Sequence, residues 1–235
     1  MNSAKILLIS EEPNILRTLR RNLVSRGYEV SIALDDQEAF DMICCHEFDL
    51  YILDLDFKTP QVDGLAICRQ VRELSHAPII VLSTVGSEAI KIEALDLGAD
   101  DYQVMPFNMG EFLARVRSAL RRWVTYRTGA VSQNNLILSE NLLIDPEARQ
   151  VTIKGEEIHL TPTEYELLHY LAQNGGKVMT HRELLQSVWG PEYGDEREYL
   201  RVFVSQLRRK IEDDPLRPAY ILTEPGVGYR FARDR

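Results

Sequence analysis

Cysteine is scarce: Cys44, Cys45 and Cys68 are the three in a chain of 235 residues. None has the spacing of a metal-ligand pair, and the adjacent Cys44 and Cys45 cannot readily bridge each other. The thiols are therefore read as reduced and the protein as cytoplasmic, without a disulfide framework. A targeting segment and a long apolar run are both missing, which argues against export and membrane insertion. Positive charge is in deficit, with 27 Lys and Arg against 36 Asp and Glu and a formal net charge of −9. The surface as a whole does not advertise a nucleic-acid binder. The deficit is uneven, however. Residues 1–122 carry 13 basic and 19 acidic side chains, net −6, whereas residues 197–235 carry 9 basic and 6 acidic, net +3. Any basic footprint is local and C-terminal.

The first half alternates two periodicities. Short apolar runs recur at Ile6–Ile9, Val30–Ala33, Leu50–Leu53, Ile79–Leu82 and, more weakly, Tyr102–Val104. Runs of this length suit strands buried on both faces. Between them lie helix-period segments such as Ile15, Leu16, Leu19 and Leu23. Alternation of this kind predicts a doubly wound, flavodoxin-like α/β domain over residues 1–122, with five parallel strands. Functional groups of such sheets gather at the C-terminal ends of the strands. Those ends offer Ser10, Glu11 and Glu12, then Asp54 and Asp56, then Ser83 and Thr84, then Met105 before Pro106.

The pieces "ILLISEEPNI", "DLYILDLD", Asp63–Gly64, "PIIVLST" and "GADDYQVMPF" resemble, in order and spacing, the receiver domain of two-component response regulators. The resemblance makes Asp54 the phosphoacceptor position, Ser83 the hydroxyl switch and Tyr102 the aromatic switch. It implies a sensor histidine kinase as partner and a magnesium ion held by strand-end acids. Three positions depart from the pattern. Ser10 stands where an acidic residue is usual, leaving Glu11 and Asp54 as metal ligands. Met105 replaces a lysine. The loop after Asp54 is two residues longer than usual, with its proline at Pro60. Magnesium demands close, near-octahedral oxygen ligands, and phosphoryl transfer depends on positioning and charge neutralisation. Weak magnesium binding and little or no phosphorylation control are therefore expected. The alternative is an ordinary phosphorylation-switched regulator. A third reading, an aspartyl-phosphate phosphatase with a D-x-D-x-T/V pattern, fails because Thr59 comes one position late and Met105 supplies no lysine; no enzyme activity is expected.

Residues 123–135 are polar and lose helical periodicity after Trp123, which predicts a linker. From 136 to 235 the pattern predicts a small α+β domain. Four short strands are separated by turn-forming "DPEA" and "KGEE". Thr161 with Glu164, and Thr180 with Glu183, are capping boxes that open two helices. A longer helix spans about 196–212, and "YILTEPGVGYRF" closes the chain as a hairpin. Three helices and a hairpin read as a winged helix-turn-helix. On a helical wheel Leu200, Val204, Leu207 and Ile211 form the core stripe, with Phe203 at its margin. Glu198, Arg201, Val202, Ser205, Arg208 and Arg209 fall outside it.

"LTPTEYELLHYL", "GKVMTHRELLQSVWG", "LRVFVSQLRRKIEDDP" and "TEPGVGYRF" resemble the effector domain of OmpR/PhoB-type regulators. "VWGPEY" and "YLRVFVSQLRRKIEDDPLRP" point to the KdpE-like branch. The resemblance implies sequence-specific binding of double-stranded promoter DNA at tandem half-sites, with potassium-transport genes as targets. It places the 196–212 helix in the major groove, with Arg201 as base reader, Ser205 one turn on and Gln206 oblique. Arg197, Arg208 and Arg209 fall to phosphate contacts, as do Thr180 and Arg182 at a helix start, and Tyr229 and Arg230 to the wing. The loop 190–198 is a candidate contact for RNA polymerase. Family members also pair their receivers through the fourth helix, fifth strand and fifth helix. Lys91–Glu111, Asp96–Arg117 and Asp101–Arg115 can be matched across a two-fold axis around Ile92, Leu95 and Leu113, which predicts a homodimer.

Overall fold

The computed structural model describes residues 3–57, 59, 63–128, 137–139, 141–146 and 148–232. It divides into two compact units, 1–120 and 121–235. The first unit alternates β1 (Lys5–Ile9), α1 (Pro13–Val24), β2 (Glu29–Ala33), α2 (Asp36–Cys45), β3 (Leu50–Asp54), α3 (Gly64–Leu74), β4 (Ile79–Ser83), α4 (Glu88–Asp96) and β5 (Asp101–Val104), and then enters α5 (Met109–Thr128). The strands form one parallel sheet in the order β2-β1-β3-β4-β5. This is the expected doubly wound fold.

The continuous apolar runs follow from that architecture. Ile6, Leu8, Leu50, Ile52, Ile80 and Leu82 pack with Leu16, Leu19 and Leu23 of α1 and Phe112, Leu113 and Val116 of α5. The alternate strand positions Leu7, Ile9, Tyr51, Leu53, Ile79 and Val81 are equally buried, as are Ile67, Cys68 and Val71 of α3 and Leu95 of α4. A strand covered on both faces has no polar side to alternate with. Helix starts are set locally: Asp35 accepts a hydrogen bond from the Glu38 N–H at 2.8 Å, and Asp63 accepts one from the Leu65 N–H at 2.9 Å. Gly64 follows because a Cβ there would lie 2.8 Å from the Leu55 Cα. Cys44 and Cys45 are exposed, whereas Cys68 is buried and its thiol is pushed up to about 12 by desolvation.

The second unit contains β6 (Ile137–Ser139), β7 (Leu142–Asp145), β8 (Gln150–Ile153) and β9 (Glu156–Ile158), an antiparallel sheet in chain order. Then come α6 (Pro162–Gln173), β10 (Val178–Thr180), α7 (His181–Val188), α8 (Arg197–Ile211), β11 (Ile221–Glu224) and β12 (Gly228–Phe231). Both expected capping boxes form, Thr161 with Glu164 and Thr180 with Glu183. The terminal hairpin acquires a third strand that sequence reasoning missed: β10 pairs with β12, giving the order β10-β12-β11. Gly228 is required there, since a Cβ would collide with the Met179 carbonyl oxygen. Residues 123–128, expected to be linker, instead belong to α5, and 129–135 lie outside the described residues. Among the described residues no helix is long and apolar enough to cross a membrane.

Helix α8 is anchored along its inner face and at its C-terminal end. Leu200, Val204, Leu207 and Ile211 are buried as the wheel predicts. Val202, placed outside the stripe by the wheel, is also buried. Trp189 packs edge-on against Phe203 at 5.1 Å and Tyr199 at 6.1 Å, and Tyr193 extends the cluster. The Arg208 guanidinium donates to the Ile221 carbonyl at 2.6 and 3.0 Å and to the Thr223 hydroxyl at 2.8 Å. Lys210 pairs with buried Glu164 at 2.7 Å. The Glu212 carboxylate accepts the N–H groups of Ala219, Tyr220 and Ile221 at 2.7–2.9 Å.

Two stability effects are expected. Arg208→Ala strips hydrogen bonds from a buried edge of β11 and should cost about 1–3 kcal/mol, whereas exposed Arg209→Ala should stay within about 0.5 kcal/mol. Urea unfolding of the full chain checks the difference, followed by tryptophan fluorescence, since Trp123 and Trp189 both lie in the second unit. His169 is buried against the Tyr165 ring at 5.6 Å. Burial, reinforced by the Arg149 charge and opposed by Glu166, holds its pKa below the ordinary 6.5. The unfolded chain then binds a proton that the native state refuses, so stability falls as pH drops through the unfolded value. Thermal melts should show that loss beginning near pH 6.5, and His169→Gln should flatten it. A variant slope equal to the wild type would refute the assignment.

Candidate phosphoacceptor pocket and nucleic-acid interface

Asp54 is the last residue of β3 and is almost fully buried. Its Oδ2 accepts the Ser10 hydroxyl at 2.7 Å, and its Oδ1 accepts the Asp56 N–H at 3.0 Å. Desolvation raises the Asp54 pKa above the ordinary carboxylate value; the two hydrogen bonds oppose this, and the charges of Asp56 and Glu12 add to it. Ser10, at the position where the family carries an acid, thus acts as a neutral donor. Glu11 reaches elsewhere: its carboxylate accepts the Thr59 N–H at 3.2 Å and the Thr59 hydroxyl at 2.8 Å. Met105 packs against the core of the unit. Lys58, Pro60, Gln61 and Val62 of the lengthened loop lie outside the described residues.

A magnesium site needs several oxygen donors converging on one point. Glu11 and Asp54 were the two candidates, and their carboxylates are committed to different protein donors. Among the described residues no group of three or more His, Cys, Asp or Glu could hold a metal ion. Of the two, Asp54 is bonded to Ser10 and to the Asp56 N–H, and Glu11 to Thr59.

The two residues expected as switches, Ser83 and Tyr102, are both hydrogen-bonded. Ser83 is buried, donates to Asp56 Oδ1 at 2.8 Å and accepts the Val85 N–H at 3.0 Å. Tyr102 is buried, and its hydroxyl donates to the Val85 carbonyl at 2.7 Å.

The expected pairing face looks different in detail. Leu95 and Leu113, taken as its apolar centre, are core residues, 0% and 1% exposed; Ile92 is partly exposed. The Asp101–Arg115 pair expected across a two-fold axis forms within the chain at 3.2 Å, and Arg115 also holds Glu111 at 2.8 Å. Burial of Asp101 and Arg115 explains this choice, since an uncompensated buried charge is costly. Asp96 and Arg117 are exposed and Lys91 partly so.

On the second unit, Arg197, Arg201 and Arg209 are exposed along α8, with Ser205 accepting from Arg209 at 3.3 Å. Gln206 is partly exposed, and Arg182 is exposed in the first turn of α7. Thr180 caps that helix. Three expected contacts are altered. Arg208 is turned onto β11 rather than outward. Tyr229 is 6% exposed, packed edge-on against His181 at 5.8 Å and lying under the Arg208 guanidinium at 6.0 Å. Arg230 is tied to Glu224 at 2.8 Å. A residue that sequence reasoning missed is His181. Burial first, then the charges of Arg197 and Arg201, lower its pKa, which places it beside both arginines. Its only sequence signal was its place directly after the Thr180 cap.

Comparisons with known proteins agree with this division. Residues 6–117 match the response regulator receiver domain, and residues 155–231 match the C-terminal domain of transcriptional regulatory proteins. The chain is 45% identical over 226 residues to the transcriptional regulatory protein KdpE of two Mycobacterium tuberculosis strains, covering 96% of this chain and 98% of theirs. Among solved structures, DrrB, a Thermotoga maritima OmpR/PhoB homologue, is 31% identical with a TM-score of 0.51, covering 99% of this chain and 100% of that one. A RitR mutant is 26% identical with a TM-score of 0.73, covering 97% and 99%. With this likeness spanning nearly the whole chain, a receiver fold whose third strand ends in Asp54 and a winged helix carrying exposed arginines, the chain belongs to the DNA-binding response regulators of the OmpR/PhoB family and is a homologue of KdpE.

Proposed function

We propose that this protein is a transcription regulator that binds promoter DNA as a receiver-paired dimer with little or no control by phosphorylation. The observation that carries the reading is the pocket: Asp54 is satisfied by the neutral Ser10 hydroxyl, and Glu11 is drawn away to Thr59. A phosphoryl group on Asp54 would add negative charge beside Asp56 and Glu12, both of which already raise the Asp54 pKa. Retention of Asp54 at the strand end favours a second reading, ordinary phosphorylation by a cognate kinase.

Acetyl phosphate with millimolar magnesium, followed by intact-mass measurement, separates the two. The unmodified protein should label slowly, and Ser10→Asp combined with Met105→Lys should label faster. Rapid, near-complete labelling of the unmodified protein would establish the second reading.

DNA recognition falls to the exposed arginines. Arg201, close to His181 and the wing, is the base reader, and a guanine contact is worth about 1–3 kcal/mol of discrimination. Arg182, Arg197 and Arg209 serve the phosphates, and the 190–198 loop, anchored by buried Tyr193, is the face offered to RNA polymerase. Tandem half-sites raise the effective concentration of the second effector domain. Salt titrations on specific and random duplexes should show Arg201→Ala losing affinity on the specific duplex alone. Arg209→Ala should lose on both and lower the salt slope by about one unit. Equal losses for Arg201→Ala on both duplexes would make it a phosphate contact.

For the dimer, Asp96 and Arg117 carry the test, since Arg115 is occupied within its own chain. Arg117→Asp should weaken self-association in sedimentation, and Asp96→Arg on the same chain should partly restore it. A strictly monomeric unmodified protein at tens of micromolar, a concentration scale on which weak dimers form, would refute constitutive pairing.

A further inference from the structure

Asp56 lies two residues beyond Asp54 and carries no role so far. Its carboxylate has two partners on another strand. Oδ1 accepts the Ser83 hydroxyl at 2.8 Å, and Oδ2 accepts the Thr84 N–H at 2.5 Å. The contacts continue outward. Ser83 Oγ accepts the Val85 N–H at 3.0 Å, and the Val85 carbonyl accepts the Tyr102 hydroxyl at 2.7 Å. One carboxylate beyond β3 therefore begins a hydrogen-bonded chain that passes through the end of β4 to a side chain on β5.

A hydroxyl and a main-chain N–H converging at a strand end form a site for an oxyanion, and hydrogen bonds to an ionised acceptor are about twice as strong as neutral ones. The Asp56 backbone is fixed in turn, because its N–H is donated to Asp54. We propose that the Asp56 carboxylate is the built-in occupant of an oxyanion site formed by the Ser83 hydroxyl and the Thr84 N–H, and that it holds the loop after β4 and the Tyr102 side chain in place with no phosphoryl group on Asp54. This rests on the reading that phosphorylation control is lost, and it supplies what takes its place. The side chain must be an aspartate. Asparagine has one acceptor oxygen for two donors and sets its amide N–H₂ against the other. Alanine leaves both donors open to a small external carboxylate.

The test uses the full chain labelled with ¹⁵N, reading amide exchange at Thr84 and Val85. Asp56→Asn should accelerate exchange at both by about tenfold or more, the loss of a local hydrogen bond. The β3 amides of Ile52 and Leu53 should be unaffected. Asp54→Asn should leave Thr84 and Val85 protected. In Asp56→Ala, sodium formate should restore protection relative to sodium chloride at equal ionic strength. Unchanged exchange in Asp56→Asn, equal loss in Asp54→Asn, or no recovery with formate would each overturn the proposal. The mass measurement with acetyl phosphate is independent of these. If the unmodified protein labels readily while Asp56→Asn still loses protection, phosphorylation independence fails and the internal anion stands. Slow labelling with unchanged exchange gives the reverse.

Discussion

Negative charge at the C-terminal edge of a parallel sheet must be answered by donors, and the receiver unit is arranged around how this is done. Asp54 is buried where desolvation opposes its ionisation. Asp56 and Glu11 stand beside it at the same edge. In a site built for magnesium the ion would answer all three at once. Here each carboxylate has separate protein donors: Ser10 and a main-chain N–H for Asp54, Ser83 and Thr84 for Asp56, and Thr59 for Glu11. The consequence is connectivity. Each pairing ties the end of one strand to the start of another loop, so a cluster that would repel itself becomes a set of cross-links.

The second unit solves a different problem, that of presenting cations on a net acidic chain. Its arginines are sorted by neighbours rather than by sequence. Arg149 is drawn inward by Glu166, and Arg208 by the Ile221 carbonyl and the Thr223 hydroxyl of β11. Arg197, Arg201 and Arg209 have positions on α8 that the core does not claim. The aromatic cluster of Trp189, Tyr193, Tyr199 and Phe203 makes this possible, since it fixes which face of the helix is covered.

The alternation of strands and helices, the capping boxes, Asp54 and the departures at Ser10 and Met105 were legible because they depend on local periodicity or on single positions. Other features were not. Strand β10 is three residues long and acquires its identity only from β12. Val202 lies outside the core stripe on an isolated wheel, yet it is buried in the folded unit. The setting of Arg115 was not legible: Asp101 was matched to it across a two-fold axis, whereas burial of both closes the pair within the chain, with Glu111 as a second partner. The resemblance made Arg208 and Tyr229 DNA contacts, yet a half-buried arginine finds a carbonyl as readily as a phosphate. The bonds from Asp56 to Ser83 and Thr84 join residues 27 and 28 positions apart, a distance at which sequence pattern carries no signal.

Helix α8 is held to the hairpin by Arg208, to α6 by Lys210 and to the 219–221 segment by Glu212. These contacts settle its orientation during folding, so the conformational entropy of the reader is already spent when a duplex arrives. Such a helix behaves as a caliper. It does not bend to meet a groove of the wrong width, and the distortion needed for a fit falls on the nucleic acid. Selectivity then depends in part on the stiffness of base steps that no side chain touches.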